Sequence, residues 1–190
     1  MKMELGIFGS SRNVEDLKEQ VKVANDLGYA TFWTPQIFNL DALTALAVVA
    51  ESVDDIRLGT SVTPTYPRHP MMLAQQALTV NQVANGRLDL GIGLSHKPVV
   101  EAMWGISFDA PVGHMSDYLR ILMALLHEGT ISHGGKHITS RGPIDVPADP
   151  PPVLVAALGP QMLKLVGRTA DGTVTWMTGP ETIRSHISPV

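Results

Sequence analysis

The chain has 190 residues, 44% of them hydrophobic and 17% charged, with a formal net charge of -4. That length supports one sizeable core rather than two, and the acidic balance argues against nucleic acid, whose phosphates want a basic face. Cysteine is absent, which excludes disulfides, thiolate nucleophiles and zinc–thiolate sites.

The opening MKMELGIFGSSRN has no long apolar core and no secretory cleavage pattern, and no apolar run approaches the ~20 residues of a membrane span. A cytoplasmic protein without a membrane partner is the expectation. MELGIFGS reads as a first strand, and a helix follows from about Val14 to Leu27, with Leu17, Val21, Ala24 and Leu27 on one face and Gly28 as its stop. YATFWTPQ is a second strand, and DALTALAVVAES a second helix that Asp41 can cap. IRLGTSV is a third strand, and HPMMLAQQALTVNQVAN a third helix closed by Asn85-Gly86. RLDLGIGL makes a fourth strand, followed by a broken helical stretch from His96 to Glu128.

Between residues 130 and 152 the rhythm stops. This glycine- and proline-rich run reads as an irregular insertion, with a hairpin as one form of it and its three consecutive prolines as a stiff spacer. The pattern then resumes with VLVAALG, a helix from Pro160 to about Thr169, the strand TVTWMTG and a last helix starting at Pro180. Six strand–helix units within one domain predict a parallel sheet covered by helices. A doubly wound open sheet suits this length better than a (β/α)8 barrel, which typically takes about 250 residues.

In either architecture the chemistry gathers at the carboxyl ends of the strands. VLVAALGPQM is the clearest such end: an apolar strand stops at Gly159, Pro160 fits the first helical position, and the free N–H groups of Gln161 and Met162 would face an anion. An ordinary Gly-Pro turn explains the same letters equally well. Thr178-Gly179-Pro180 repeats the design one strand later, which favours a phosphate site. GIGLSH lacks the third glycine of a dinucleotide fingerprint, so a Rossmann reading is rejected.

His96 stands just past a strand end, where a proton donor would be useful; a surface position capping the next helix is the competing reading. His133 and His137 flank Gly-Gly without carboxylates in the same run, which argues against a metal, and His69 reads as a loop residue. Trp33, Phe38, Trp104 and Trp176 could line a flat apolar pocket, although core packing is the stronger reading for Trp33 and Trp176.

LGTSVTPTYPRHPMMLAQQALTVNQVANGRLDLGIGLSH, followed by VLVAALGPQMLKLVGRTADGTVTWMTGP, resembles the bacterial luciferase-like family, and most closely its branch that uses the deazaflavin coenzyme F420. The resemblance runs from LGIFG to TGPETI with the motifs in family order. It implies an α/β (β/α)8 TIM barrel with parallel strands, against the length argument, of which about six of eight units are present, as in a fragment or a shortened relative. Open edges in place of the last strands would be a liability, so a homodimer is expected.

The same resemblance implies residue roles. Ser61-Val62 matches the family's non-prolyl cis peptide, a bulge backing the isoalloxazine-like ring. Gly93, Leu94 and Ser95 match backbone bordering that ring. Ala157, Gly159, Pro160, Gln161 and Met162 match the segment at the cofactor's phosphate, with Thr178 and Gly179 beside it. The sugar-phosphate dehydrogenase branch has an acid–histidine pair where this chain has Gln36 and Ile37, and a glutamate where it has His96. That branch's proton-transfer set is therefore absent. His96 becomes the candidate acid or base, since a group titrating near neutrality suits proton transfer, with Gln36 as its hydrogen-bonding companion. The implied function is hydride transfer between F420 and a small organic substrate. An FMN-dependent monooxygenase of the same fold and a truncated, non-catalytic flavin binder are the alternatives.

Overall fold

The computed structural model describes residues 4–190. Nine strands and six helices follow one another: β1 (Gly6–Phe8), α1 (Val14–Asp26), β2 (Thr31–Thr34), α2 (Ala42–Ala50), β3 (Arg57–Thr60), β4 (Thr63–Pro64), α3 (Pro70–Val83), β5 (Leu88–Gly93), α4 (Pro111–Glu128), β6 (Thr130–Gly134), β7 (Thr139–Pro143), β8 (Val153–Ala156), α5 (Pro160–Thr169), β9 (Gly172–Val174) and α6 (Pro180–Thr182). Two π-helical turns, Val99–Met103 and Ile183–Ile187, complete the regular backbone.

The main sheet is parallel throughout and runs β1-β2-β3-β5-β8-β9, with β4 also on β5. Strands are thus neighbours in the order in which the chain makes them. A doubly wound sheet needs a point where that order reverses; none is present among the described strands, so the open-sheet expectation drawn from length is corrected. The sheet curls as part of a barrel instead, and Phe8 of β1 meets Trp176, just past β9, edge to face at 5.5 Å between ring centres.

Local chemistry sets where the helices begin. Asn13 accepts a hydrogen bond from the Asp16 amide at 2.8 Å and caps α1. Asp41 does the same for α2 through the Thr44 amide at 2.9 Å. At α3 the His69 Nδ1 accepts from the Met71 amide at 3.2 Å, ahead of Pro70, so the loop histidine is a cap. The broken stretch resolves into the π-turn at 99–103 and α4, separated by a loop that ends with Ala110 in a left-handed conformation.

The core lies between the helices and the outer face of the sheet. Leu17 and Val21 of α1, Leu43 and Leu46 of α2, Leu73 and Ala77 of α3, Leu119 and Leu122 of α4, and Met162 and Val166 of α5 bury against Phe32, Leu58, Leu90 and Val155 of the strands. The opposite, concave face holds Trp33. Its indole lies over Gly59, its neighbour in register on β3, and beside Gly6, where an added Cβ would come within 2.9 Å of the indole nitrogen. Two glycines thus make room for one tryptophan, and Trp33 lies half-buried on the concave face, outside the core cluster. Trp176 lies outside it too, 69% exposed at the barrel mouth, because β9 stops at Val174 and the chain leaves the sheet.

The run from 130 to 143 is an antiparallel hairpin, β6 paired with β7 from Thr130↔Pro143 to Gly134↔Thr139. Asp117 of α4 holds it, accepting from His133 Nε2 at 2.9 Å and from the His137 amide at 2.8 Å.

Candidate functional site

Because every strand of the main sheet points the same way, all their carboxyl ends open at one rim. A cavity of about 400 Å³ lies there. Phe8 from β1 and Pro35 through Phe38 after β2 form one side, and Ser61, Val62 and Pro64 form the floor toward β5. Ser95, His96, Val99 and Trp104 come from beyond β5, and Ala156 and Val174 through Trp176 close the far side. Among the described residues no aspartate, glutamate, lysine or arginine lines it.

The floor is built by an interruption of one strand. In β3, Gly59 pairs with Asp89; in β4, Thr63 pairs with Ile92. Four residues on one side therefore span three on the other, which is a bulge of one extra residue. The Ser61–Val62 peptide within it is cis. Where the ladder breaks, the Thr60 hydroxyl substitutes for it, donating to the Gly91 carbonyl at 2.7 Å and accepting from the Gly91 amide at 2.9 Å. The bulge turns Ser61 and Val62 into the cavity. Gly93 lies directly beneath: an added Cβ would sit 2.6 Å from Val62 Cγ2 and 3.3 Å from Ala156 Cβ.

At the side wall, Gln36 Nε2 donates to Asp41 Oδ2 at 3.0 Å, and its Oε1 accepts from the Ala42 amide at 3.3 Å. The side chain is thereby oriented, with a second amide hydrogen left for a ligand. Burial would raise the Asp41 pKa; the Thr44 amide and hydroxyl, Arg68 and Gln36 outweigh it and hold the carboxyl below its ordinary value. Its charge is consequently committed to the α2 terminus, not to the cavity. Opposite, Ser95 takes a left-handed conformation (φ 66°) that turns the chain out of β5 and leaves the exposed His96 on the cavity wall. The His96 carbonyl accepts from the Val99 and Val100 amides at 2.9 and 3.0 Å, anchoring its backbone.

The structure does not bring all the expected residues to one cavity. Gln36, Ser61, Val62, Ser95 and His96 line it; Gly93 and Leu94 lie behind it. Ala157 turns into the core at 7% exposure, and the neighbouring Ala156 faces the cavity in its place. Met162 also packs in the core. Gly159, Pro160 and Gln161 form the start of α5 beyond the rim of the cavity, with no side chain capping the helix, so its first amides remain free. Gly179 begins only the short α6, and the Thr178 hydroxyl donates back to the Trp176 carbonyl at 3.1 Å. The design at 178–180 is thus weaker than its sequence twin at 159–162.

Sequence reasoning missed Phe8, Ala156 and Thr175 as lining residues. Only the strand register could have found them. It also missed a polar cluster behind the floor. His114 Nε2 lies 3.1 Å from Thr65 Oγ1, and its ring stacks on Tyr66 at 4.0 Å with 6° between planes. Burial, then the nearby His137, lowers the His114 pKa to about 4, with Asp117 opposing. His133 and His137 meet a carboxylate after all, on Asp117, sixteen residues before His133. Among the described residues no three histidine or carboxylate side chains gather as metal ligands do.

Comparison with known proteins agrees with this architecture. The chain is 32% identical over 186 residues to a putative coenzyme F420-dependent oxidoreductase of Mycobacterium tuberculosis, covering 90% of this chain and 53% of that protein. It is 29% identical to the 5,10-methylenetetrahydromethanopterin reductase of Methanolobus tindarius, covering 99% of this chain and 58% of that one. It thus spans little more than half the length of these relatives. An F420-dependent secondary alcohol dehydrogenase solved with an F420–acetone adduct superposes on 100% of this chain and 62% of its own, with a TM-score of 0.86 at 20% identity, which carries the fold alone. The profile of the luciferase-like monooxygenases matches residues 3–189, and with that match across a parallel, sequentially ordered barrel sheet, the chain belongs to the luciferase-like monooxygenase family.

Proposed function

We propose that this chain carries the cofactor site of a two-electron oxidoreductase that passes a hydride between coenzyme F420 and a small organic substrate. The observation that carries the reading is the largely apolar cavity at the strand ends, floored by the Ser61–Val62 bulge. Such a slot fits a planar, largely apolar ring, and the names of the F420-dependent relatives support the deazaflavin. When bound, the deazaflavin supplies or accepts the hydride.

This chain's residues then have distinct tasks. Val62 and Ser61 support one face of the ring, and Gly93 keeps Val62 in place because no side chain intervenes. Leu94 and Ser95 border the ring with backbone. Gln36 offers its free amide hydrogen to ring or substrate. His96 is the titratable group on the wall and holds the proton that the substrate gains or loses. The phosphate side chain meets the uncapped amides of Gln161 and Met162 at α5, with Gly159 and Pro160 shaping the turn and Ala157 setting its height, and with Thr178 and Gly179 alongside. Assembly as a homodimer is supported by Val48 on α2 and by Met72 and Val83 on the adjacent α3, which are 42%, 54% and 40% exposed.

A fluorescence titration of the purified chain with F420, and in parallel with FMN, tests the assignment. Saturable binding of F420 in preference to FMN is expected. Tighter binding of FMN would move the chain to the flavin monooxygenases, and binding of neither would overturn the assignment.

A further inference from the structure

We propose that the substrate reaching this cavity is an uncharged, predominantly apolar molecule with a flat face, selected by the wall of Ile37, Phe38, Trp104 and Trp176; the inference rests on the cofactor assignment above. The wall is unusual in being apolar where it is open to solvent. Ile37 and Phe38 are 64% and 63% exposed, Trp176 is 69% exposed and Met177 after it 90%. Exposed apolar surface concentrated at the rim of a cavity marks a ligand face rather than a packing defect.

Charge is distributed in the same sense: among the described residues no aspartate, glutamate, lysine or arginine lines the space, and Asp41 pairs with Arg68, Lys97 with Glu101, and Arg57 with Asp89. Arg12 lines an adjoining depression that shares Ile37 and Phe38 with the cavity, and is not among the cavity's lining residues. A carboxylate or phosphate seated against Ile37, Phe38, Trp104 and Trp176 would lose water and, among the described lining residues, meet no lysine or arginine. The polar groups that do face the space, Gln36, Ser61, Ser95, His96 and Thr175, suit a neutral oxygen or nitrogen function. Shape, charge and exposure therefore agree on one substrate class.

A matched pair of probes tests this: 2-acetylnaphthalene, neutral, and 2-naphthoate, of the same outline but charged. Binding is followed by quenching of the cavity tryptophans in the free chain and in the F420-loaded chain. The ketone is expected to bind on the order of 100-fold more tightly than the carboxylate. Ile37→Lys, at an exposed position, should shift that ratio at least about tenfold toward the carboxylate without unfolding the chain. Equal affinities, or a ratio that Ile37→Lys leaves unmoved, would overturn the proposal. Because selectivity is also read without cofactor, the two ideas fail separately. Lost F420 binding with preserved selectivity removes the cofactor assignment. Bound F420 with no selectivity removes this inference.

Discussion

A methyl group added at Gly93 would meet Val62 Cγ2 at 2.6 Å, whereas one added at Gly159 meets nothing within 4 Å. This contrast separates two glycines that look alike in the sequence. Gly93→Ala should cost about 1–3 kcal/mol in urea unfolding and weaken F420 binding, because the bulge must shift. Gly159→Ala, with an ordinary φ of -73°, should change stability by less than about 0.5 kcal/mol. If a phosphate rests on the α5 amides, Gly159→Ala should still lower cofactor affinity, since the new methyl stands where the ligand approaches. His96→Ala should leave F420 affinity within about twofold and reduce turnover by about 10²–10⁴-fold. Unchanged turnover would remove His96 from the mechanism. His114 gives a different signature. Its folded pKa of about 4 lies below the ordinary 6.5, so the unfolded chain binds more protons between those values. Stability is therefore full well above pH 6.5 and declines as pH falls toward 4, by about 1.5 kcal/mol between pH 6.5 and 5. Urea melts of the native chain and of His114→Phe at those two pH values check this. The variant should lose most of that slope.

At the scale of elements, the hairpin β6–β7 depends on a single carboxylate. Asp117 accepts from His133 Nε2, from the His137 amide and from the Ile138 amide at 3.3 Å, and Gly135 lies against it. Burial would raise the Asp117 pKa, but these donors outweigh it and hold the carboxyl below its ordinary value. Asp117→Ala should leave the His137 and half-buried Ile138 amides without their acceptor and cost about 1–3 kcal/mol, seen as faster amide exchange over 130–143 than over α4. Slow exchange in the variant would show that the β6–β7 ladder holds without it. This anchor was illegible in the sequence because donor and acceptor are separated by a helix and a turn. The third strand shows a related gap. IRLGTSV reads as one apolar run, yet the sheet breaks after Thr60 and resumes at Thr63. A bulge of one residue leaves periodicity almost intact, so only the pairing of Thr63 with Ile92 exposes it. The resemblance pointed to Ser61-Val62, and the structure supplies the local reason in the Thr60 hydroxyl, which bridges to Gly91.

At the scale of the whole molecule, the sequential strand order makes one rim, and the cavity lies at it. At the β1 and β9 edges Phe8 and Trp176 meet edge to face. Sedimentation of the purified chain should give twice the monomer mass if Val48, Met72 and Val83 are covered by a second copy; Val48→Asp with Met72→Glu should return it to the monomer. The amino-acid sequence by itself determined the helices, the cap at Asp41, the parallel strands and the likeness to the luciferase-like family. These depend on spacing within a few residues, which apolar periodicity and turn chemistry record. Only the tertiary structure decided that the sheet curls rather than winds doubly, that Ala156 and not Ala157 faces the cavity, that Trp176 stands at the mouth, and that His114 is buried against Tyr66. Each of these depends on register and on contacts between distant segments, where a shift of one residue turns a side chain from core to cavity.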